Sequence, residues 1–401
     1  MRKIYLFTFM MLLLVHLKGQ AQQITLHVER AGTLHGMINA SRLPYITDLK
    51  LTGELNGTDI SFIRTLVKKN LRFLDLSEAR IVEGGAIYYS NYRTSNDIIG
   101  SYMFYNPDYS PISPCAISKI NLPNSVTGIE EGAFKSCTRL TDINIPNSVT
   151  SIGPETFKSC TSLTDINIPN SVTSIGERAF SGCTSLTDIN IPDAVKSIEP
   201  ETFSGCTRLT DINIPNSVTS IGYEAFRVCT RLTDINIPNS VTSIERSTFY
   251  SCTGLTSINI PGSVTTIGSN AFYDCTSLTD INIPNSVTSI GEQAFYNCDN
   301  LKSVYMNAST PPFIGSQAFH NISKDLTIYI PRGSYTAYWL SYWGNYNLVE
   351  YDPTDIQGVT TSAHNGVEKY FSIDGRPLPG PCKGVNIIQD TDGKTRKAWI
   401  P

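Results

Sequence analysis

A repeat of 23 residues dominates this sequence, and it restricts the chain to folds in which one small unit stacks on the next. Eight cysteines mark the period without a slip, and eight phenylalanines keep the same interval three positions earlier. These residues are Cys137, Cys160, Cys183, Cys206, Cys229, Cys252, Cys275 and Cys298, and Phe134, Phe157, Phe180, Phe203, Phe226, Phe249, Phe272 and Phe295. Because a repeat of this length cannot bury its apolar residues alone, the period predicts a solenoid.

One unit, residues 278–300, indicates what each turn does. Leu278, Ile281 and Ile283 alternate with polar residues, which predicts a short strand with an apolar inner face and a polar outer face. Pro284 ends the strand, since proline has no N–H for a ladder. A second extended segment and a single helical turn that carries the phenylalanine complete the unit. The expected fold is therefore mainly β, a leucine-rich-repeat solenoid with parallel strands and short helical turns.

The cysteine column requires its own interpretation, because the chain has ten cysteines and cysteine-rich exported proteins usually form disulfides. A disulfide framework pairs distant loops, whereas strict periodicity places one thiol above the next. A bridge between adjacent turns is possible in distance, at a strand spacing of about 4.8 Å. We favour a buried column of small, mildly polar side chains. Cys115 and Cys382 lie outside the period and are the better candidates for another role.

The repeat continues in degenerate form at both ends of the regular array. Residues 99–106 match residues 290–297, within a region at 83–115 that also holds an insertion, and 314–319 continue the period. Atypical outer units are expected, because the exposed end of a repeat core needs a cap. Aromatic residues at helical spacing predict a C-terminal cap, with a carbohydrate platform as the alternative. They are Tyr335, Tyr338, Trp339, Tyr342, Trp343 and Tyr346.

The first residues predict an export signal. Arg2 and Lys3 precede an apolar run, and small residues follow at the positions that a signal peptidase reads, with cleavage expected after Ala21. A membrane anchor is the alternative, but the apolar run is short for a span. Gln22 follows the cleavage site, which argues against a lipid-modified cysteine. No integral membrane span is expected in the mature chain.

The repeating unit L-x-x-I-x-I-P-x-x-V-x-x-I-G-x-x-A-F-x-x-C closely resembles the BspA-like leucine-rich repeats of bacterial surface proteins. The resemblance covers residues 117–298 tightly and residues 40–350 loosely. It implies a secreted or surface-attached protein. Some members of that family are adhesins for host extracellular proteins such as fibronectin and fibrinogen, so binding of an extracellular protein is an expectation here.

The C-terminal residues resemble the short sorting domain of type IX secretion substrates. Three strands are expected at 371–376, 383–388 and 392–397, separated by turn signals, as in a small β-sandwich. An ordinary terminal β-module is the alternative. The chain is therefore divided into a signal peptide at 1–21, an N-terminal cap at 22–116, regular repeats at 117–304, a C-terminal cap at 305–351, a linker at 352–366 and the sorting-like module at 367–401.

The sequence indicates no enzyme. The histidines of the mature chain, His27, His35, His320 and His364, lie near the two ends and in no catalytic or metal-binding motif. No phosphate-binding glycine loop and no paired C-x-x-C zinc spacing is found, so neither a cofactor nor a metal is predicted. A formal net charge of −4 also argues against a nucleic-acid partner.

The outer positions of the strand vary little between repeats, with Ser257 and Ser303 as the exceptions in the aspartate column and Tyr305 at the end of the asparagine column. The column at the helical turn, from Lys135 to Tyr296, varies freely, as an unconstrained solvent face does. Three interpretations of the nearly uniform strand columns stay open: recent duplication, structural ladders of hydrogen bonds, and a binding surface. As candidate ligand-binding residues we select Asp142, Asn144, Asp165, Asn167, Asp188, Asn190, Asp211, Asn213, Asp234, Asn236, Asp280 and Asn282, named below the Asp/Asn face.

The leading hypothesis is a secreted or cell-surface protein that binds an extracellular protein or glycan through the concave side of the solenoid. The insertion supplies further candidate contacts, because tyrosine is favoured at interfaces, with a packed cap as the alternative. They are Tyr88, Tyr89, Tyr92, Tyr102, Tyr105 and Tyr109. The rival hypothesis is a structural surface protein that presents a stable rod and has no specific ligand.

Overall fold

A computed structural model describes residues 22–105 and 115–352 and the backbone of four short strands between Lys369 and Ile400. The expected signal peptide, Tyr109, His364, Cys382 and the linker beyond Asp352 lie outside the described residues. Among the described residues, no helix combines the length and the apolar character that a membrane crossing requires.

The polar-faced strands form a parallel sheet at the N-terminal end of the solenoid. Its strands, in spatial order, are Gln22–Val28, Ile46–Leu55, Phe73–Ile81, Lys119–Asn121 and Asp142–Asn144. The strands at 46–55 and 73–81 confirm that the degenerate repeats begin well before the regular array. In the middle turns the pairing reduces to single bridges, between Asn190 and Asn213 and between Asn236 and Asn259.

The same face becomes a regular parallel sheet again at the C-terminal end. Four strands pair there in the order Asp280–Ile283, Ser303–Met306, Thr327–Pro331 and Asn347–Tyr351. The apolar residues Ile281 and Ile283 are buried and Asn282 is exposed, as the alternation predicted. The fold is therefore the expected solenoid of parallel strands.

A second line of two-residue strands follows the buried isoleucine of each turn. The first group is a sheet of Ile98–Ile99, Gly128–Ile129, Ser151–Ile152 and Ser174–Ile175. The second is a pair, Ser197–Ile198 and Ser220–Ile221. The third is a sheet of Ser243–Ile244, Thr266–Ile267, Ser289–Ile290 and Phe313–Ile314. Within each of these three groups the isoleucines of neighbouring turns pair in register, so the apolar column stays inside.

Successive tight turns carry the phenylalanines, in place of the single helical turn that we expected. Asn270 and Asp274 have φ values of 57° and 61°, which lie in the left-handed region and interrupt a helix. The N–H groups of Asn270 and Phe272 donate to the carbonyl groups of Glu292 and Ala294 in the next turn, at 2.9 and 2.7 Å. These bonds form a third ladder, which an α-helix cannot make because its N–H groups bond within the helix.

The core of the solenoid contains a continuous stack of phenylalanine rings. Neighbouring rings from Phe104 to Phe319 are nearly parallel, with centroids 4.9–5.7 Å apart. Phe104 and Phe319 belong to the two degenerate repeats, so the structure confirms that the period continues beyond the regular array. Stacked aromatic pairs contribute about 0.5–1.5 kcal/mol each beyond the burial of their area.

The cysteines form the buried column that the period indicated. All nine cysteines of the described residues are buried free thiols. Each regular thiol donates to the carbonyl oxygen of the phenylalanine in the preceding turn, as Cys183 Sγ does to Phe157 at 3.1 Å. Burial raises the pKa of Cys183 and Cys252 to about 12. A cysteine therefore fills a small space and also supplies a donor for a buried carbonyl group.

The N-terminal cap adds short helices and a hairpin to the sheet. They are the α-helices Leu34–Met37 and Gly57–Val67, the 3-10 helix Leu43–Tyr45, and the antiparallel strands Gly84–Tyr89 and Tyr92–Thr94. The longer helix begins with a capping box, in which the Asn56 side chain accepts from the N–H of Thr58 and Asp59 accepts from the N–H of Asn56. Asp59 is fully buried and ties the two helices together by accepting from the N–H of Leu34.

At the C-terminal end, the α-helix Tyr335–Trp339 and the 3-10 helix Tyr342–Asn345 cover the last turn. The predicted aromatic cap is confirmed for Tyr338 and Trp343, which are fully buried, with Trp343 against Phe319. Three other aromatic residues expected in the cap instead point to solvent, because they lie on the outer side of these short helices: Tyr335, Trp339 and Tyr342.

The C-terminal module is a four-stranded antiparallel sheet in the order Pro377–Leu378, Lys369–Ser372, Gly384–Gln389 and Thr395–Ile400. This differs from the three expected strands. The stretch that we interpreted as a proline-rich turn begins with a short edge strand, where proline is tolerated. The last strand begins at Thr395, after the Asp-Gly turn signal, rather than at residue 392. The described residues of the module form one sheet and not a sandwich.

Candidate functional site

The Asp/Asn face lies where the sequence placed it, on the outer side of the polar-faced strands. Asp142 and Asn144 are exposed on either side of the buried Ile143, and the same alternation holds in the later turns. Only Asp280 is half-buried among the twelve residues. In parallel register, each aspartate and each asparagine lies beside its equivalent in the next turn, about 4.8 Å away. The structure therefore brings the candidates together as two adjacent columns on one surface.

Most of the negative charge on this face has no counter-charge. Lys119 Nζ lies 2.6 Å from a carboxylate oxygen of Asp142 at the N-terminal end. Asp165 accepts a hydrogen bond from the hydroxyl group of Thr164 at 3.1 Å. Asp188 and Asp211 are exposed, and neither makes a hydrogen bond or an ion pair with the residues that the structure describes. The middle of the aspartate column is therefore open to a partner.

A column of threonines, from Thr141 to Thr279, lies beside the aspartates and has a structural role. The hydroxyl group of Thr187 donates to the carbonyl group of Thr164 in the preceding turn at 3.1 Å, and Thr210 donates to Thr187 at 3.3 Å. Thr256 makes the same bond to Thr233 at 3.1 Å. These bonds supplement the irregular backbone pairing in the middle turns. Thr164 and Thr279 donate instead to the carboxylates of the adjacent Asp165 and Asp280, so the bonds between turns account for part of the threonine column.

The asparagine column is structural at one position. Nδ2 of Asn190 donates to the carbonyl group of Ile168 at 3.0 Å, and its Oδ1 accepts from the N–H of Ile168 at 3.2 Å. Within the described part of this column, no asparagine side chain bonds to the next one. The hypothesis of a ladder of stacked amides therefore finds no support in these turns.

Aromatic residues terminate the asparagine column at its C-terminal end. Tyr305 pairs in register with Asn282 and stacks on Tyr329, with ring centroids 4.7 Å apart. Tyr351 meets Tyr305 edge-on at 5.8 Å. Burial raises the pKa of Tyr351 to about 12, so its hydroxyl group stays protonated and acts as a donor. The sequence indicated Tyr305 as the end of the column, but the contribution of Tyr329 depends on the irregular last turns.

The C-terminal half of the column that we interpret from sequence as an unconstrained solvent face is a chain of contacts, from Arg227 to His320. Tyr250, Tyr273 and Tyr296 stack with centroids 4.7 and 4.9 Å apart, and His320 stacks on Tyr296 at 5.4 Å. The guanidinium group of Arg227 lies over the ring of Tyr250 at 5.4 Å. Variation between repeats concealed this pattern, because the residue type changes from arginine to tyrosine to histidine between Arg227 and His320 while each of these residues contacts the next.

The same surface carries ion pairs closer to the N-terminus. Glu155 bonds to the ammonium groups of Lys135 and Lys158, and Arg178 pairs with Glu201. Burial alone would raise the pKa of Glu155, but the two lysines outweigh it and lower the pKa. The hydrogen bonds from Arg178 lower the pKa of Glu201. These acidic residues are satisfied within the fold, in contrast to Asp188 and Asp211.

The tyrosines of the insertion form an internal cluster. Tyr88 is buried and donates to the carbonyl group of Ser101 at 2.8 Å. Tyr89 meets Tyr102 and Tyr105 with centroids 6.2 and 5.7 Å apart. The packed-cap interpretation therefore accounts for these residues.

The described residues contain no group of histidine, cysteine and acidic side chains that could hold a metal ion. His27 is hydrogen-bonded to the hydroxyl group of Thr52, and His320 belongs to the stacked column. The chemistry that this surface offers is recognition by charge and hydrogen bonding.

Parallel turns around a phenylalanine stack define a leucine-rich-repeat solenoid. The family profile of the BspA type leucine rich repeat region matches the chain in six copies, over residues 97–232 and 196–327. Because the match spans more than half of the chain, the chain belongs to this family. No curated protein matches the sequence.

Solved structures include similar bacterial proteins. A leucine rich cell surface protein from Faecalibacterium prausnitzii is 28% identical, with 67% of this chain and 86% of that chain covered and a TM-score of 0.38. The leucine rich repeat protein of T. pallidum is 28% identical, with 46% and 72% covered and a TM-score of 0.32. The pneumococcal vaccine antigen PcpA is 17% identical, with 70% and 89% covered and a TM-score of 0.35.

Proposed function

We propose that this chain is an exported surface protein that binds a basic region of an extracellular protein through the Asp/Asn face. The observation that carries the proposal is the open middle of the aspartate column, where Asp188 and Asp211 are exposed without a counter-charge. Family membership and the signal-like first residues support export. The resemblance of residues 367–401 to a sorting domain supports attachment to the cell surface.

The energetics of the column favour a cationic partner. Two carboxylates about 4.8 Å apart repel each other by about 1 kcal/mol in water, and salt reduces this value. Each interior aspartate has two such neighbours, so the column carries a standing electrostatic cost that lysine or arginine side chains of a partner would relieve. The threonine hydroxyl groups beside Asp188 and Asp211 do not relieve it, because Thr187 and Thr210 donate to backbone carbonyl groups.

Direct binding to immobilised fibronectin and fibrinogen tests the proposal, because the family resemblance suggests these two proteins as first probes. The chain from residue 22 to 401 would be compared with a triple variant, Asp165→Asn, Asp188→Asn and Asp211→Asn. We expect saturable binding that weakens with added salt and falls at least about tenfold in the variant. The melting temperature of the variant should not fall, since the replaced groups are exposed and their replacement removes mutual repulsion.

A matched control removes the same number of charges elsewhere. Asp193, Glu292 and Asp299 are exposed residues outside the Asp/Asn face, and the control carries Asp193→Asn, Glu292→Gln and Asp299→Asn. We expect this control to bind like the unmodified chain. If both triple variants lose binding equally, the loss is due to the change in net charge and not to the Asp/Asn face. If the variant of Asp165, Asp188 and Asp211 binds like the unmodified chain, the Asp/Asn face is not the binding surface.

A further inference from the structure

A polar cleft opens where the period of the repeat slips at the C-terminal end of the array. Between the buried Leu301 and Ile314 the chain has one residue more than the regular turns, and the loop at 307–312 replaces the usual Pro-Asn-Ser-Val sequence. Phe313 therefore pairs in register with Ser289. The longer loop and the preceding loop at 285–288 enclose a cleft of about 490 Å³. This volume is in the range of small-molecule sites, about 300–1,000 Å³.

The outer wall of the cleft is held by the C-terminal cap. The hydroxyl group of Tyr338 donates to the carbonyl group of Ala308 at 2.7 Å, and Nε1 of Trp343 donates to that of Pro312 at 2.9 Å. Both rings are fully buried. A third donor, the hydroxyl group of Tyr351, bonds to Oδ1 of Asn307 at 2.6 Å. A wall fixed in this way loses little conformational entropy when a ligand binds.

The polar lining of the cleft consists of uncharged donors and acceptors. Asn285, Ser309 and Thr310 are exposed, and their side chains make no hydrogen bond to any residue that the structure describes. Thr288 and Asn307 contribute a further hydroxyl and a further amide group. Lysine, arginine, aspartate and glutamate are absent from the lining. A charged ligand would therefore lose hydration without finding a counter-charge, and a wholly apolar one would leave these polar groups unpaired.

An exposed aromatic residue, Phe313, directly follows Pro312 of the cleft lining. The side chain of Phe313 is 67% exposed, and its N–H donates to the carbonyl group of the cleft residue Thr288 at 2.9 Å. The equivalent positions from Ser151 to Ser289 hold serine or threonine, so the ring appears only beside the cleft. Its faces make no ring contact within the described residues, unlike those of the stacked tyrosines at 250–296.

We propose that this cleft binds an uncharged oligosaccharide. A sugar ring has an apolar face of C–H groups, which suits the free ring of Phe313, and a rim of hydroxyl groups, which suits the amide and hydroxyl groups of Asn285, Ser309 and Thr310. The site is separate from the Asp/Asn face and adds a glycan-binding activity to the protein-binding function proposed above.

The test is an array of neutral oligosaccharides of glucose, galactose, mannose and N-acetylglucosamine, with sialylated and sulfated oligosaccharides for comparison. The probe is the chain from residue 22 to 401, and bound oligosaccharides are then measured by calorimetry. We expect at least one neutral oligosaccharide to bind. Phe313→Ser, which restores the residue type of the preceding turns, should weaken binding at least about tenfold, and Asn285→Ala should weaken it by about fivefold or more.

The repeat supplies internal controls. Asn239→Ala changes the residue equivalent to Asn285 in an upstream turn, away from the cleft, and it should leave binding unchanged. The Asp165, Asp188 and Asp211 triple variant should also bind the oligosaccharide normally, which separates this site from the proposed protein-binding face. Absence of binding to every neutral oligosaccharide, binding of charged ones only, or equal loss in the Asn239 and Asn285 variants would overturn the proposal.

Discussion

Replacing single rings of the phenylalanine stack tests whether stacking between turns stabilises the solenoid beyond the burial of apolar area. Phe226 lies between Phe203 and Phe249, with centroids 5.6 and 5.7 Å apart and ring planes within 13° and 5° of parallel. Phe104, at the end of the stack, contacts only Phe134 in this way among the described residues, at 5.3 Å. Both side chains are almost fully buried, at 0% and 1% exposure.

Substitution by leucine keeps most of the apolar volume and removes the stacking. At about 0.5–1.5 kcal/mol for each aromatic pair, Phe226→Leu loses two contacts, or about 1–3 kcal/mol, and Phe104→Leu loses one. The repacking cost of a ring-to-leucine exchange is common to both variants. We therefore expect Phe226→Leu to lower the free energy of unfolding by about 1 kcal/mol more than Phe104→Leu does.

Urea unfolding followed by far-ultraviolet circular dichroism measures both variants against the unmodified chain, residues 22–401. Because each turn of a solenoid is stabilised mainly by its neighbours, hydrogen exchange should show the loss of protection concentrated in the turns beside the substitution. Equal destabilisation by the two substitutions, or a larger effect at Phe104, would refute the argument that the stacked rings add stability through their pairwise contacts.

Two further predictions concern the tight turns that carry the phenylalanines. Val228 has a φ of 60°, a left-handed value that is unfavourable for a β-branched residue. Val228→Asn should therefore stabilise the fold by about 1 kcal/mol and raise the midpoint of urea unfolding. An unchanged or lower midpoint would contradict this. Glu155 has a pKa below its ordinary value of 4.5, where bonds from Lys135 and Lys158 outweigh burial, so its carboxylate stabilises the fold above that value. Glu155→Gln should therefore cost about 1 kcal/mol at pH 7. The difference in urea unfolding should shrink as pH falls through the lowered pKa. A difference that stays constant through a pH series from 7 down to the acid limit of the fold would contradict the role of the ion pairs.

The period carried most of what could be predicted about this fold. Residues that repeat every 23 positions must occupy equivalent places in successive turns, so Ile281 and Phe295 could be assigned to the core and Asn282 to the surface from spacing alone. The same reasoning identified Phe104 and Phe319 as continuations of the array. Strict repetition therefore assigns one local pattern to every turn. Because a single turn cannot bury its apolar residues, the pattern also predicts that the turns stack.

What could not be predicted depends on bonds between turns or on breaks in the period. The turns that carry the phenylalanines resemble a helical pattern in sequence, but residues such as Asn270 adopt left-handed φ values because the bonds to the next turn favour them. The cleft depends on one extra residue near Pro312 and on donors from Tyr338 and Trp343, some 30 positions away. Neither feature has a periodic signal in the sequence.

The comparison of columns within one chain argues for a function of the aspartates. Thr187 and its equivalents are retained and also bond from turn to turn, so folding explains them. The column from Arg227 to His320 varies in residue type, yet its members contact one another. The fold therefore tolerates different residues even at positions that make contacts between turns. Asp188 and Asp211 show the opposite combination, since they are retained although they contribute no bond and repel their neighbours. Duplication alone would have left the column from Lys135 to Tyr296 as uniform as the Asp/Asn face, so the retained charge supports the proposal that this face binds a ligand outside the chain.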